Sequence, residues 1–201
     1  MAPLPSDVAF TPAVKEMQSQ KGSRDVYARV EYGEGWPSGV TSDLAEFLAE
    51  IDTFFLGTAS AEGQPYIQHR GGPPGFLKVI DDTRLGFADF GGNRQYITLG
   101  NLSENPKAFI FLMDFAKRRR VKLWGEARVV EDDPELLERL RDRNYPGRVE
   151  RAILFRIATW DVNCPQHIQP RFTRTQIAPA LQELQAKITD LEAQLAELRG
   201  K

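Results

Sequence analysis

The chain has 201 residues, of which 41% are hydrophobic and 27% are charged, and its formal net charge is -2. This composition is typical of a globular protein with its own hydrophobic core, and the lack of a basic excess argues against a nucleic-acid-binding protein. The single cysteine, Cys164, excludes an internal disulfide framework, and the sequence contains neither a secretory signal nor an apolar run long enough to cross a membrane, so we expect a cytoplasmic protein.

The sequence pattern of residues 1–44 predicts a helical N-terminal extension. Phe10, Val14 and Met17 share one face of a helix that would begin near residue 12. Residues 41–43 are a typical N-cap sequence, and the apolar spacing after them indicates a second amphipathic helix. Both helices are expected to cover part of a core, and the first carries no residue that suggests chemistry.

From residue 53 onward, short runs rich in β-branched and aromatic residues alternate with turn-like segments. The strands predicted from these runs are 53–59, 65–69, 76–80, 85–90, 108–113, 121–130 and 152–162. Few helices separate them, so neighbouring strands should pair antiparallel, and a small closed barrel would leave no exposed sheet edge. Two helices are predicted between strands, over 93–103 and over 133–141, where Asp133 can act as the cap. The predicted fold is therefore mainly β, with peripheral helices.

Residues 166–201 contain the clearest periodic signal in the chain. Apolar residues recur there at alternating intervals of four and three, as in an unbroken heptad: Ile177, Leu181, Leu184, Ile188, Leu191, Leu195 and Leu198. Glu183 and Lys187 would add a favourable i,i+4 pair. A stripe this narrow needs a partner helix. The partner is either the same helix of a second subunit, which we favour, or the helix at 10–17 or 47–51 of the same chain.

Cations lie next to Gly-rich turns in the middle of the chain. Arg70 precedes a Gly-Gly-Pro-Pro-Gly turn, and Lys78 lies on the next predicted strand. If these two strands form a hairpin, both cations reach one face and could bind a phosphate together. Arg94 follows a glycine pair and would open a helix whose backbone N–H groups favour an anion. The alternative for Arg70 and Lys78 is that both are solvated surface charges around an ordinary hairpin, and the alternative for the segment of Arg94 is a turn with a capping Asn.

Three further candidates lie in the second half of the chain. Among the four consecutive basic residues at 117–120, Arg120 is the one expected to face inward at the start of a strand. Trp160 and His167 could flank a flat ligand. The chain has only two histidines, and with one cysteine they are too few and too scattered to predict a zinc site.

Two motifs occur in a specific order between these candidates. An Asn-Leu-x-x-Asn-Pro element at 101–106 precedes a strand, and a basic-Val-basic-apolar-x-Gly strand begins at residue 120. Together with Arg70 and the Phe-Leu-Lys-Val run at 76–79, they resemble the pyridoxamine 5′-phosphate oxidase-like split-barrel flavoproteins. The resemblance covers residues 45–165, and the extension and the tail lie outside it. It implies an antiparallel split β-barrel, a homodimer, and FMN bound in a cleft between the subunits.

The resemblance also implies roles for individual residues. Arg70 and Lys78 match the family's cations near the FMN phosphate. Arg94 and Gln95 stand near the family's Arg-Lys phosphate pair, and Thr98 could occupy that slot in place of Gln95. The Arg-x-His pattern that binds pyridoxal phosphate is not visible near the C-terminus, so the resemblance does not extend to oxidation of vitamin B6.

Arg120 falls, by the same resemblance, where a side chain reaches the flavin ring. The leading hypothesis is therefore an FMN-dependent oxidoreductase that moves a hydride or an electron pair between the flavin and a small organic substrate or a nicotinamide cofactor. A second hypothesis is a split barrel that holds flavin or haem without turnover, for storage or sensing. A third is an assembly module in which the heptad tail recruits another protein and the barrel is a scaffold.

Overall fold

Helices form the N-terminal part of the chain in the computed structural model, which describes residues 3–200. A short 3-10 helix at Pro5–Val8 precedes α1 (Pro12–Gln20), α2 (Arg24–Tyr32) and α3 (Ser42–Glu50). The side chains of Thr11 and Thr41 accept N–H groups from the first turns of α1 and α3, and such caps fix where a helix begins. The two helices predicted from the sequence are therefore confirmed. α3 covers the core as expected, but the predicted core face of α1 is wrong, since Val14 and Met17 are 37% and 51% exposed.

Helix α2 was not predicted, because it shows no apolar stripe toward a core. Its residues Val26 and Val30 are exposed. Instead, the helix is held by the buried carboxylate of Glu31, which pairs with Arg24 and lies 3.2 Å from the Lys15 ammonium of α1. A polar anchor of this kind has no periodic signature in the sequence.

In the described part of the chain, seven strands form one antiparallel sheet in the order β2-β1-β5-β6-β7-β4-β3. They are β1 (Thr53–Ala59), β2 (Pro65–Gly71), β3 (Lys78–Val79), β4 (Arg84–Phe90), β5 (Lys107–Asp114), β6 (Arg119–Val130) and β7 (Val149–Asn163). This is a split β-barrel with a C-terminal helix, so the predicted fold is confirmed. The predicted strand at 76–80 is reduced to two residues.

The predicted hairpin between the strands of Arg70 and Lys78 is wrong. β2 pairs with β1, and β3 pairs with β4. The intervening segment is fixed to the end of α3, since the N–H groups of Gly72 and Gly75 donate to the backbone oxygens of residues 52 and 51. Phe76 and Leu77 are buried in the core directly after it. These anchors lead the chain away from β2, so Lys78 does not return to the face of Arg70.

The core fills the barrel, and α3 closes one side of it. Alternate strand residues point inward, as expected for a sheet with one buried face. The largest fully buried side chains are Phe54, Phe87, Phe155, Leu44, Leu48, Leu56, Leu77, Leu85, Ile110, Leu112, Leu123 and Ile153. Phe54 lies against Phe76 and Phe87, with ring centroids 5.3 and 5.1 Å apart. Each such side chain contributes roughly 1.5–3 kcal/mol through removal from water.

The segment after α2 fixes the N-terminal helices to the barrel. Trp36 stacks on Trp124 of β6, with ring centroids 5.2 Å apart. The indole N–H of Trp160 donates to the backbone oxygen of Gly39 at 2.8 Å, and the Thr159 hydroxyl donates to that of Pro37 at 2.9 Å. The N-terminal extension is therefore joined to β6 and β7 through both aromatic and polar contacts.

Two helices lie between strands, as predicted: α4 (Ile97–Glu104) and α5 (Pro134–Leu140). The Asp133 carboxylate accepts the N–H of Leu136 at 2.9 Å, which confirms the predicted cap of α5. α4 begins later than the predicted residue 93. Arg94 and Tyr96 have φ angles of 60° and 54°, and residues in this left-handed region cannot continue a right-handed helix.

The C-terminal helix α6 (Arg174–Arg199) confirms the helical heptad segment. Thr173 and Gln176 form a capping box at its start. All seven heptad residues are between 39% and 70% exposed, so no part of the described chain covers the stripe. The alternative in which the tail folds back on the helix at 10–17 or 47–51 is therefore wrong for this chain.

Gly125 marks an irregularity in β6, where the register with β7 shifts between Trp124 and Gly125. A Cβ at this position would overlap the backbone oxygen of Arg156 and lie 2.8 Å from the Phe155 ring. We therefore expect Gly125→Ala to lower the free energy of unfolding by about 2 kcal/mol or more, measured by urea denaturation. Gly100→Ala is the matched control, since nothing lies within 4 Å of its Cβ position.

The control substitution lies inside α4, where alanine is favoured over glycine, and should leave stability unchanged or raise it by up to about 1 kcal/mol. Equal unfolding free energies for the two variants would show that the β6–β7 contact at Gly125 does not constrain the barrel.

Candidate functional site

A cavity of about 280 Å³ opens where β2, β4 and the start of α4 meet. It lies at the split of the barrel, since β2 is at one end of the sheet order and β4 is near the other. Alternation along β2 places Gln68 and Arg70 on the cavity side. The turn at 91–96 and the β7 residues Glu150 and Arg151 complete the wall.

A chain of ion pairs crosses the cavity floor. Asp89 of β4 is 4% exposed and accepts hydrogen bonds from Arg70 of β2 and, at 3.0 Å, from Arg151 of β7. Arg151 also pairs with Glu131 at 2.9 Å and with Glu150 at 3.1 Å. Burial alone would lower the pKa of Arg151, but its hydrogen bonds to Asp89 and Glu131 outweigh that effect and raise the pKa. The network therefore fixes two charged guanidinium groups across the split.

The start of α4 supplies hydrogen-bond donors to the same cavity. Its N-cap residue, Tyr96, is left-handed, and its side chain does not cap the helix. Ile97, Thr98 and Leu99 form the first turn and line the cavity. The N–H groups of a first helical turn have no partner within the helix, and together with the helix dipole they attract anions.

Polar side chains stand beside these donors. The buried Thr98 hydroxyl donates to the Gln68 amide oxygen at 2.7 Å, which ties α4 to β2. The Asn93 side chain accepts the N–H of Gln95 at 3.3 Å and stabilises the turn. Arg94 is exposed in this turn and forms no salt bridge within residues 3–200. Its guanidinium is thus the cavity cation with no carboxylate partner in the described chain.

The donor set fits the phosphate end of a flavin mononucleotide. Arg70 Nε is buried with no hydrogen-bond partner among the described residues, and such an orphaned donor calls for an acceptor. Asp89 and Glu150 also line the cavity, and each is paired with an arginine: Asp89 with Arg70 and Arg151, and Glu150 with Arg151. Small-molecule pockets typically enclose about 300–1,000 Å³, so this cavity has room for a phosphate and its ribityl arm while the flavin ring would extend beyond it.

Four of the eight residues that the sequence assigned to cofactor binding lie at this cavity. They are Arg70, Arg94, Gln95 and Thr98. They come from β2, from the turn after β4 and from α4, and they meet because β2 and β4 face each other across the split.

The other four assigned residues do not line this cavity. Lys78 donates at 3.1 Å to a backbone oxygen of α5. Arg120 lies on the outer face of β6, so the prediction that it faces inward is wrong: Val121 and Leu123 take the inward positions of this strand. Trp160 is buried, with its indole N–H bonded to the N-terminal segment. His167 is exposed in a loop, with a φ of 66°. Their roles in cofactor binding remain predictions.

Sequence reasoning missed several residues of the site. Gln68 alternates with Arg70 on one strand, and this spacing was a usable signal. Asp89 interrupts an otherwise apolar strand, which is typical of a buried ion pair. Arg151 and Glu150 carry no local signal, because their approach to Asp89 depends on the register between β4 and β7.

Two general features of the described residues bear on the class of site. Within residues 3–200, no group of three or more His, Cys, Asp and Glu side chains could hold a metal ion. No helix among these residues is both long enough and apolar enough to cross a bilayer.

Comparisons with known proteins found several solved structures that are similar to this chain. Two structures of HupZ from Group A Streptococcus are similar, one of them a single-residue variant. The variant is 16% identical to this chain, with a TM-score of 0.51, and the similarity covers 62% of this chain and 99% of the variant. The other structure is 15% identical, with a TM-score of 0.50, and the similarity covers 66% of this chain and 100% of that one. A pyridoxamine 5′-phosphate oxidase-related, FMN-binding protein from Nostoc punctiforme is 14% identical, with a TM-score of 0.39 over 59% and 77%.

The sequence itself matches a family profile. None of the curated proteins matches the chain significantly. The profile described as pyridoxamine 5′-phosphate oxidase matches residues 40–168, which include every strand of the barrel and the whole cavity wall. The chain therefore belongs to the pyridoxamine 5′-phosphate oxidase family.

Proposed function

We propose that the protein is an FMN-dependent oxidoreductase that acts on a small organic substrate or a nicotinamide cofactor. The observation that carries this proposal is the uncapped start of α4, which shares one cavity with Arg94 and Arg70 in a member of this family. When bound, the flavin would supply the two-electron redox chemistry, and the protein would supply binding, orientation and electrostatics.

The chain's own residues would act mainly on the phosphate. Arg94 and the N–H groups of the first turn of α4 would neutralise and bind its oxygens, with Gln95 and Thr98 as neutral donors. Arg70 would add a charge whose position Asp89 already fixes. Because this pair is formed before the ligand arrives, little side-chain freedom is lost on binding.

We further propose a homodimer, with the flavin domain at residues 45–165 and the flavin at the subunit interface. The outer face of the sheet exposes Phe55 and Ile67, which are 37% and 69% exposed. Arg120 lies on this same face, and its Nε is buried without a partner among the described residues. An apolar face with an unpaired cation suits contact with a second subunit and with the flavin ring that it would cover.

A visible spectrum of the purified protein is the first test. We expect a yellow protein that releases FMN on denaturation, identified by mass, and that bleaches when reduced anaerobically. Anaerobic mixing with NADH or NADPH then tests the oxidoreductase, since reduction by either identifies the donor. Colourless protein that takes up no added FMN would contradict the proposal. Bound flavin that no nicotinamide or small organic donor reduces would favour a binding protein instead of an enzyme.

A further inference from the structure

The apolar stripe of α6 is a surface that no described residue covers. Its seven residues are between 39% and 70% exposed along the whole helix. Soluble proteins rarely leave a continuous apolar stripe in water, and a two-residue-wide heptad seam matches one partner helix. What covers the stripe can be argued from the residues beside it.

The heptad positions of the stripe indicate two strands. Leu181, Ile188 and Leu195 take the a positions of the repeat, and the remaining four residues take the d positions. In the central turns, Ile188 at a lies between leucines at d, which is the combination that favours a two-stranded coiled coil. Ile177 at d next to Leu181 at a is the opposite combination, so the indication of two strands comes from the central heptad. Pro179 falls at the outward f position and does not face the seam.

Two charges flank the seam and indicate its direction. Lys187 is at position g and Glu192 is at position e. Neither forms a salt bridge within residues 3–200, and the predicted Glu183–Lys187 pair is not formed there. In a parallel, in-register pair, a g residue faces the e residue five positions further along the other helix. Lys187 would then face Glu192 of the partner subunit, twice by symmetry.

An antiparallel pair that covers the whole stripe offers no such match. In that arrangement g residues face g residues, and e residues face e residues. Lys187 would face Lys187 of the partner subunit or, one heptad away, Gln194 of the partner subunit. Glu192 meets Arg199 of the partner subunit, the next e residue, only when the two helices shift along each other and leave at least the first heptad uncovered. Charge complementarity on this helix therefore selects one orientation.

We propose that α6 pairs with α6 of a second copy of this chain as a parallel, in-register, two-stranded coiled coil, with reciprocal Lys187–Glu192 pairs. The inference rests on α6 alone and does not depend on flavin binding. In a parallel coiled coil the two Thr173 caps lie side by side, so both barrels are attached at the same end of the coil.

Cysteine cross-linking of the full chain tests the orientation. In a Cys164→Ser background, Ile177→Cys and Leu198→Cys are made separately and oxidised in a glutathione buffer. Facing d residues in a parallel pair are close enough for a disulfide, whereas residues 177 and 198 are about 32 Å apart along the helix. We expect each variant to cross-link with itself. Ala186→Cys, at an outward f position, is the matched control and should form no disulfide between the subunits under the same conditions.

Charge exchange in the Leu198→Cys protein tests the pairing. Lys187→Glu would place two acidic residues together on each side of the coil, and we expect the equilibrium disulfide yield to fall roughly fivefold at low salt. Glu192→Lys should cause a similar loss. The double variant Lys187→Glu/Glu192→Lys exchanges the charges and should restore the yield.

Three outcomes would overturn the proposal. The first is that the 177 and 198 variants cross-link only with each other when mixed, which shows antiparallel helices. The second is that neither position cross-links, which shows that a second copy does not cover the stripe. The third is that the double charge variant remains as weak as the single variants.

Discussion

Replacing Asp89 with alanine is expected to lower the free energy of unfolding by about 3–5 kcal/mol, the cost of removing one partner from a buried ion pair. Asp89 is almost fully buried and binds Arg70 and Arg151, whose side chains are only 11% and 12% exposed. Its removal leaves the Arg70 guanidinium without a carboxylate partner and with little access to water, whereas Arg151 keeps Glu131 and Glu150. Urea denaturation followed by circular dichroism gives the free energy directly.

Glu126→Ala is the control for this variant. Glu126 pairs with Arg156 at 2.7 Å, but both side chains are about half exposed, so the loss should stay below about 1 kcal/mol. If Asp89→Ala is no more destabilising than Glu126→Ala, then the ion pairs across the split do not hold β2 to β4 and β7. The proposed contribution of Arg70 to the phosphate site would then lose its support, because Asp89 would not fix the position of that side chain.

Replacing Arg94 with glutamine is expected to weaken FMN binding by about 1.5–3 kcal/mol, which is roughly 10- to 150-fold in the dissociation constant. Arg94 is exposed and forms no salt bridge in residues 3–200, so its loss should hardly change the melting temperature. Fluorescence titration of the apoprotein with FMN measures the effect, because flavin emission changes on binding. Riboflavin, which lacks the phosphate, should bind both proteins equally.

Arg141→Gln is the matched control, since Arg141 is an exposed arginine outside the cavity and should bind FMN as the unmodified protein does. Lys78→Ala belongs in the same series. The resemblance predicts a loss of FMN affinity for that variant, whereas the cavity geometry predicts no change. If the Arg94→Gln protein binds FMN with unaltered affinity, the phosphate does not bind at the start of α4 as proposed.

The parts of the fold that are set by residues close together in the sequence could be predicted. The caps at Thr11, Thr41 and Asp133 bind N–H groups three residues away, and the heptad of α6 is a local repeat. Strand positions followed from short apolar runs. α2 escaped prediction because a buried glutamate, not an apolar face, holds it in place.

A residue of the site could be predicted only where the end of its own strand, or the turn that follows, lies at the cavity. Arg70 and Arg94 lie at the ends of β2 and β4, and both ends open at the split. Lys78 was expected beside Arg70, but the backbone bonds of Gly72 and Gly75 to residues 51 and 52 redirect the chain. Arg151 depends on pairing over a long sequence separation, and no local pattern encodes that pairing.

The attachment of the N-terminal segment has a spectroscopic consequence. All three tryptophans of the chain lie where the N-terminal segment contacts the barrel. Trp36 is in the segment, Trp124 stacks against Trp36, and the indole N–H of Trp160 donates to the backbone of the segment. Intrinsic emission excited at the indole band therefore reports whether residues 33–40 are seated. A red shift of the tryptophan emission that precedes global unfolding would show that residues 33–40 detach from the barrel in a separate, earlier step.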